Sequence, residues 1–338
     1  MSIVCTTLRT MVHPSPLDDP RASTLSAAEG APPCPSRGMV LDGRYELLNV
    51  IGEGGMGRVW EAQHLGLARL VAVKLVDPRY QALHARLLRE ARVLASLRHP
   101  AIVEVYDVGT SPVGPFIVME RLDATPLDEL IARGPLGVHR TLELFLPLLA
   151  GLQLAHDRGV VHRDIKPSNV LVTSAPSGTA SAKLLDFGIA VTAADARLTQ
   201  VGAILGIPAY MAPEQVRSAR VDARADVWGV AVTMLEAMSG RLMFDGEDPP
   251  SIMSKVLTED VERPRHVAAM DDRLWEIFAH ALRREPEERL DSARALHDAL
   301  EAWRGVSAPP RRSPETVGAA APAEPSLDAL IRARLGDA

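Results

Sequence analysis

The chain is poor in cysteine, in lysine and in unbroken apolar stretches, and each shortage excludes something. Its two cysteines, Cys5 and Cys34, both precede the first patterned segment. That leaves no material for a disulfide framework or a zinc site in the body of the chain, and it suits a reducing, cytoplasmic setting. No run approaches the roughly 18 apolar residues that a membrane-spanning helix needs, so no membrane span is expected. The short apolar start is broken by Pro14 and Pro16, and no signal peptide is expected. With 37 basic residues against 43 acidic ones and a net charge of -6, there is no nucleic-acid footprint. Only four of the basic residues are lysines, Lys74, Lys166, Lys183 and Lys255, which makes each stand out. What is present is enough apolar material, 47% of 338 residues, for a sizeable core in one two-lobed domain or two smaller ones.

Residues 1–38 are rich in Pro, Ser and Ala and read as a disordered tail, with Met39 a candidate second start. Patterned sequence begins at Arg44. Tyr45 to Ile51 reads as a strand, GEGGMG follows, and Arg58 to His64 reads as the returning strand. Gly52, Gly54 and Gly57 would let backbone N–H groups approach phosphate oxygens that a side chain would block; alone, such a pattern is as often a flexible turn. A dinucleotide-binding fold needs a helix directly after the glycines, and a strand pattern stands there instead. The third strand, Leu70 to Val76, is nearly all apolar yet carries Lys74, which needs an anionic partner. Leu83, Leu87, Leu94 and Leu97 fall at helical spacing with Glu90 on or beside that face. Glu90 is either that partner or an ordinary solvated residue. Strands around Ile102 to Val108 and Phe116 to Glu120 complete a small sheet.

The densest stretch is His162 to Asn169, HRDIKPSN. It is followed by an apolar strand, a turn-rich loop from Ser174 to Ser181, and a second strand from Lys183 to Phe187, which takes in the first two residues of Asp186-Phe187-Gly188. Such a hairpin returns Asn169 and Asp186 to one end, where an amide oxygen and a carboxylate are suitable hard ligands for Mg2+. Asp164 can accept a proton from a hydroxyl nucleophile, and Lys166 can neutralise charge on a transferring phosphoryl group. Taken singly, each of these reads first as a solvated loop residue, since exposed charge is the norm.

GEGGMGRV, VAVK, Glu90, HRDIKPSN, DFG and Ala212-Pro213-Glu214 occur together in an order that resembles the signature set of protein kinases. The chain is similar to bacterial, eukaryotic-like (Hanks-type) serine/threonine protein kinases over about Arg44 to Arg304. The resemblance implies an α+β, two-lobed kinase domain over 39–304. A small antiparallel-sheet lobe with one main helix would span about 44–120, and a larger, mostly helical lobe about 121–304. It implies ATP and Mg2+ in the cleft, and phosphoryl transfer to protein substrates.

In that resemblance Gly52, Gly54 and Gly57 cover the phosphates, Ile51 belongs to the ATP-binding set, and Lys74, paired to Glu90, holds the phosphates. Val59, Ala72 and Leu171 sandwich the adenine, whose edge meets the backbone of Glu120 and Leu122 behind Met119. Asp164 is the catalytic base, Lys166 meets the transferred phosphate, and Asn169 and Asp186 bind Mg2+. Lys166, two places after the Asp, resembles serine/threonine rather than tyrosine kinases. Asp226 braces the catalytic loop, and Glu214 pairs with Arg289. Small-molecule phosphotransferases lack the Ala-Pro-Glu segment, which favours a protein substrate.

Ile207 departs from the pattern, standing where the family has a threonine that bridges the catalytic Asp and Lys. The expectation is a weakened or fastidious kinase, the alternative a nucleotide-binding scaffold of little activity. Arg163, before the catalytic Asp, resembles family members switched on by phosphorylation of the activation segment, for which Thr199 is the candidate. Residues 305–325 read as a Pro/Ala-rich linker, and 326–338 as a short amphipathic helix suited to docking a partner.

Overall fold

The computed structural model describes residues 34–54, 57–77, 91, 93–174, 180–187 and 208–307. Six strands form one antiparallel sheet: β1 (Val40–Leu41), β2 (Tyr45–Gly54), β3 (Gly57–His64), β4 (Arg69–Val76), β5 (Val105–Ser111) and β6 (Gly114–Glu120). Their order is β1-β2-β3-β4-β6-β5. Successive side chains on a strand face opposite ways, and β4 buries both sets. Val71, Val73 and Leu75 join Tyr45, Leu47, Trp60 and Phe116 in one cluster. Ala72 and Val76 join Ile117 and Met119 in another. A strand covered on both faces reads as a continuous apolar run, and Lys74 sits on the second of these faces.

The larger lobe is helical: α1 (Leu127–Ile131), α2 (Gly137–His156), α3 (Pro213–Val216), α4 (Arg224–Ser239), α5 (Pro249–Thr258), α6 (Asp272–Ala281) and α7 (Ala293–Ser307). Every residue of α4 from Ala225 to Ser239 is buried, as a helix without a polar face must be. It stops at Gly240, whose left-handed φ of 70° ends the helix while its N–H bonds the Glu236 carbonyl at 2.7 Å. Leu142, Phe145, Leu149 and Leu152 of α2 enter the same core, each contributing roughly 1.5–3 kcal/mol by leaving water. Asp271 caps α6 by accepting from Leu274 N at 2.7 Å, and also receives Trp303 Nε1 of α7 at 3.0 Å. Among the described residues no helix is long and apolar enough to cross a membrane.

A second sheet, β7 (Thr125–Pro126), β8 (Val170–Ser174) and β9 (Ala180–Leu184), lies in the order β7-β8-β9. Its register sets Val170 opposite Leu184. Leu185 N then donates to Asn169 O at 2.8 Å, so the hairpin closes at the end that carries the polar residues.

Several boundaries differ from the sequence-based expectations. The sheet starts at Val40, before Arg44, because β1 pairs with β2. Regular pairing of β5 starts at Val105, and Ile102 makes only an isolated bridge to Leu184. β9 ends at Leu184 because Asp186 adopts a left-handed φ of 47°, which no strand continues. Helix α7 runs to Ser307, so the composition change at 305 falls in its last turn.

Candidate active site

The polar stretch is organised from below by a buried carboxylate. Asp226, in the first turn of α4, is 1% exposed. It accepts from His162 N at 2.7 Å and Arg163 N at 2.6 Å, and His156 Nε2 lies 2.7 Å from it. A buried carboxylate needs such donors, and here two of them come from the loop it supports. Arg163 is held at φ 66°, a left-handed conformation that a side chain with a Cβ adopts at a cost of about 1–2 kcal/mol. His162, fully buried, lies against Phe187 with ring centroids 4.6 Å apart. Its Nδ1 accepts from Asp164 N at 3.3 Å, so the proton belongs on Nε2, which faces the Leu185 carbonyl at 2.8 Å.

Asp164, Lys166 and Asn169 form one hydrogen-bonded group. Lys166 Nζ lies 2.8 and 3.0 Å from the Asp164 carboxylate oxygens. Asn169 Nδ2 donates to the Asp164 carbonyl at 2.7 Å and to Oδ2 at 2.9 Å. Both amide protons are therefore committed to Asp164, and the amide oxygen is what Asn169 has left to offer a cation.

Asp186 meets Lys74, with Nζ 2.6 Å from Oδ2. Burial pushes the Asp186 carboxyl up, but the Lys74 ammonium, helped by Lys166, overcomes this and holds it below the ordinary carboxylate value. The donor set fits Mg2+: one ionised carboxylate and one amide oxygen, the remaining positions being left to phosphate and water. Among the described residues no cluster of three or more His, Cys, Asp or Glu has the arrangement of an all-protein metal cage.

The residues expected to meet a nucleotide lie on the larger sheet, in the segment after it and on β8. Gly52 pairs with Val59 and Gly54 with Gly57 across the β2–β3 hairpin. Gly57 has φ 147°, and a Cβ there would fall 1.9 Å from the Leu75 carbonyl oxygen, so only glycine fits. Ala72 and Met119 are buried in a cluster against which Val59, Leu122 and Leu185 pack. Leu171 is half-buried on β8, opposite Lys183, and Ile51 is half exposed. Glu120 N donates to Glu104 O at 3.0 Å, while its Oε1 accepts from Glu104 N at 2.8 Å and lies 2.5 Å from Lys183 Nζ. The next residue, Arg121, bonds Glu61 of β3 at 3.1 Å.

Farther down, Arg289 is fully buried and bridges elements distant in sequence. Its Nη1 and Nη2 meet the Glu214 carboxylate at 2.8 and 3.1 Å. The same guanidinium donates to the carbonyls of Arg224, Arg283 and Arg284, at 2.7, 3.0 and 3.2 Å, and lies 5.3 Å from the Trp228 ring centroid. Glu90, Gly188, Thr199, Ile207 and the segments 1–33 and 308–338 lie outside the described residues. Sequence reading assigned no role to His156, His162, Lys183 and Gln215; of these His162 carried a signal as the first residue of HRDIKPSN and Lys183 as one of four lysines.

A glycine hairpin within a sheet, a lysine from β4 meeting an aspartate after β9, and an Asp-Lys-Asn group in a loop held by the buried Asp226 together define a protein kinase domain. The profile of the protein kinase domain family matches residues 45–300, and the chain belongs to that family. Its relatives place it with the bacterial Hanks-type serine/threonine kinases. It is 39% identical over 275 residues to serine/threonine-protein kinase PknL of Mycobacterium tuberculosis, covering 79% of this chain and 67% of that one. It is 36% identical over 276 residues to serine/threonine-protein kinase pkn2 of Myxococcus xanthus, covering 78% of this chain but only 33% of the relative. The crystal structure of the Mycobacterium tuberculosis PknI kinase domain superposes with a TM-score of 0.63 at 28% identity, covering 80% of this chain and 99% of that domain.

Proposed function

We propose that the chain transfers the terminal phosphoryl group of ATP to serine and threonine hydroxyls of proteins. The observation that carries this is the Asp164 carboxylate, held by Lys166 and by Asn169, whose own carbonyl accepts from the N–H of Leu185, the neighbour of Asp186. In this reading Asp164 takes the proton of the acceptor hydroxyl as its oxygen bonds to the γ-phosphorus and the bond to the ADP oxygen breaks. Lys166, bonded to the Asp164 carboxylate, offsets the charge that gathers on the transferring group. Lys74 binds phosphate oxygens, and its Asp186 contact is one it exchanges or shares when they arrive. Asn169 and Asp186 hold Mg2+, which neutralises phosphate charge when bound.

Ile51, Gly52, Gly54 and Gly57 cover the phosphates, and Val59, Ala72, Met119 and Leu171 enclose the adenine. With the Glu120 N–H already bonded to Glu104, its carbonyl is the group left for the adenine edge, next to the backbone of Leu122. Glu214, Asp226 and Arg289 serve as framework. The working domain is 39–304, and the absence of a membrane-length helix among the described residues suits a cytoplasmic location. The test is incubation with γ-labelled Mg-ATP and a generic protein acceptor, followed by phosphoamino-acid analysis. Label on serine and threonine is expected; label confined to tyrosine, or ATP turnover with none on protein, overturns the reading.

A further inference from the structure

Gln215, the residue after Glu214, lies half-buried in α3 with its amide spanning two backbone groups. Its Oε1 accepts from Ala212 N at 3.0 Å and its Nε2 donates to the Arg163 carbonyl at 2.8 Å. This orientation is unambiguous, because exchanging the amide O and N would set donor against donor and acceptor against acceptor. The Arg163 carbonyl belongs to the peptide whose N–H is that of Asp164, and that N–H donates to His162 Nδ1 at 3.3 Å. One peptide plane, directly before the Asp164 Cα, is thus gripped at its oxygen by Gln215 and at its nitrogen by His162. It follows a residue in a left-handed conformation, Arg163 at φ 66°, which relaxes unless its surroundings hold it.

We propose that Gln215 is a positioning residue for phosphoryl transfer, fixing the direction in which the Asp164 carboxylate leaves the backbone. It also makes that direction depend on the seat of α3, which follows directly on the Pro208–Tyr210 turn. The inference rests on Asp164 being the base. Glu at this position keeps length and shape and still accepts from Ala212 N, but it puts an oxygen without a proton against the Arg163 carbonyl. Met keeps the straight chain and removes both hydrogen bonds.

The experiment measures kcat, KM for ATP, Mg-ATP dissociation constant and melting temperature for the full chain, Gln215→Glu, Gln215→Met and Asp164→Asn. The expected result is a fall in kcat of about tenfold for Gln215→Met, the worth of one well-placed hydrogen bond felt in the transition state, and a larger fall for Gln215→Glu. ATP affinity stays at the parent value, and the melting temperature falls by only a few degrees, as the loss of one or two half-buried hydrogen bonds requires. Unchanged kcat in both variants overturns the proposal. So does a fall in kcat matched by loss of ATP affinity and stability, which marks a merely structural side chain. If the parent chain shows no Asp164-dependent transfer, it is the proposed function that fails.

Discussion

Glu236 is a carboxyl placed where water hardly reaches, 9% exposed, with the Tyr210 hydroxyl donating to it at 2.6 Å. Burial pushes the Tyr210 phenol up, and the Glu236 carboxylate pushes the same way, so Tyr210 stays a donor. Burial also raises the Glu236 carboxyl above its ordinary 4.5; the Tyr210 bond opposes this and nearby Asp128 adds to it. A carboxyl raised in the folded state contributes stability below its unfolded value and loses it as pH climbs through the folded value. Glu236→Gln keeps an acceptor for Tyr210 without that charge. Its melting temperature relative to the parent is therefore expected to rise as pH goes from about 4.5 toward neutrality. A difference flat across that range contradicts the assignment.

Single residues were unevenly legible. Lys74 announced itself, because an ammonium in an apolar run needs a partner. Which carboxylate meets it depends on chain topology, and the described partner is Asp186, reached only through the β8–β9 hairpin. Gln215 gave no signal, since an amide after a glutamate looks like any surface residue until its two backbone partners are in place.

Among elements, α3 is too short to hold itself, and its seat is the Glu214–Arg289 pair. Arg289 reaches it from the turn that follows Pro286–Glu288 and also satisfies the carbonyl of Arg224 at the start of α4. Arg289→Met leaves the buried Glu214 carboxylate unpaired and three carbonyls without their donor. The expected loss is about 3–5 kcal/mol in urea unfolding; a loss below about 1 kcal/mol, the range of an exposed ion pair, contradicts the pair's role.

Strands and helices were legible where period or punctuation marked them. β2 to β4 fall within a residue or two of expectation, except that β2 runs on to Gly54. A two-residue β1 has no period to read, and an apolar Ile102 resembles strand whether or not a neighbour pairs with it. The end of β9 depends on a backbone angle at Asp186, which composition does not encode.

At the scale of the molecule, the two lobes meet at Glu120 and Arg121, consecutive residues held to opposite sides. Glu120 is tied to β9 through Lys183, and Arg121 to β3 through Glu61. In the proposed site this connection, the glycine hairpin and the Asp226-supported loop act together; the hairpin and the loop, though not the Glu120–Lys183 and Arg121–Glu61 ties, were visible in sequence as motifs. Their mutual geometry was not, because it is fixed by buried contacts such as His162 with Leu185 and Phe187. The central claim is that this convergence performs phosphoryl transfer with Asp164 as base. The most direct measurement is kcat for labelled phosphate transfer by the parent chain and by Asp164→Asn, with Mg-ATP affinity determined for both. A fall in kcat of about 10²–10⁴-fold, the usual worth of a positioned base, is expected, with nucleotide affinity retained. Transfer by Asp164→Asn at an undiminished rate would contradict it.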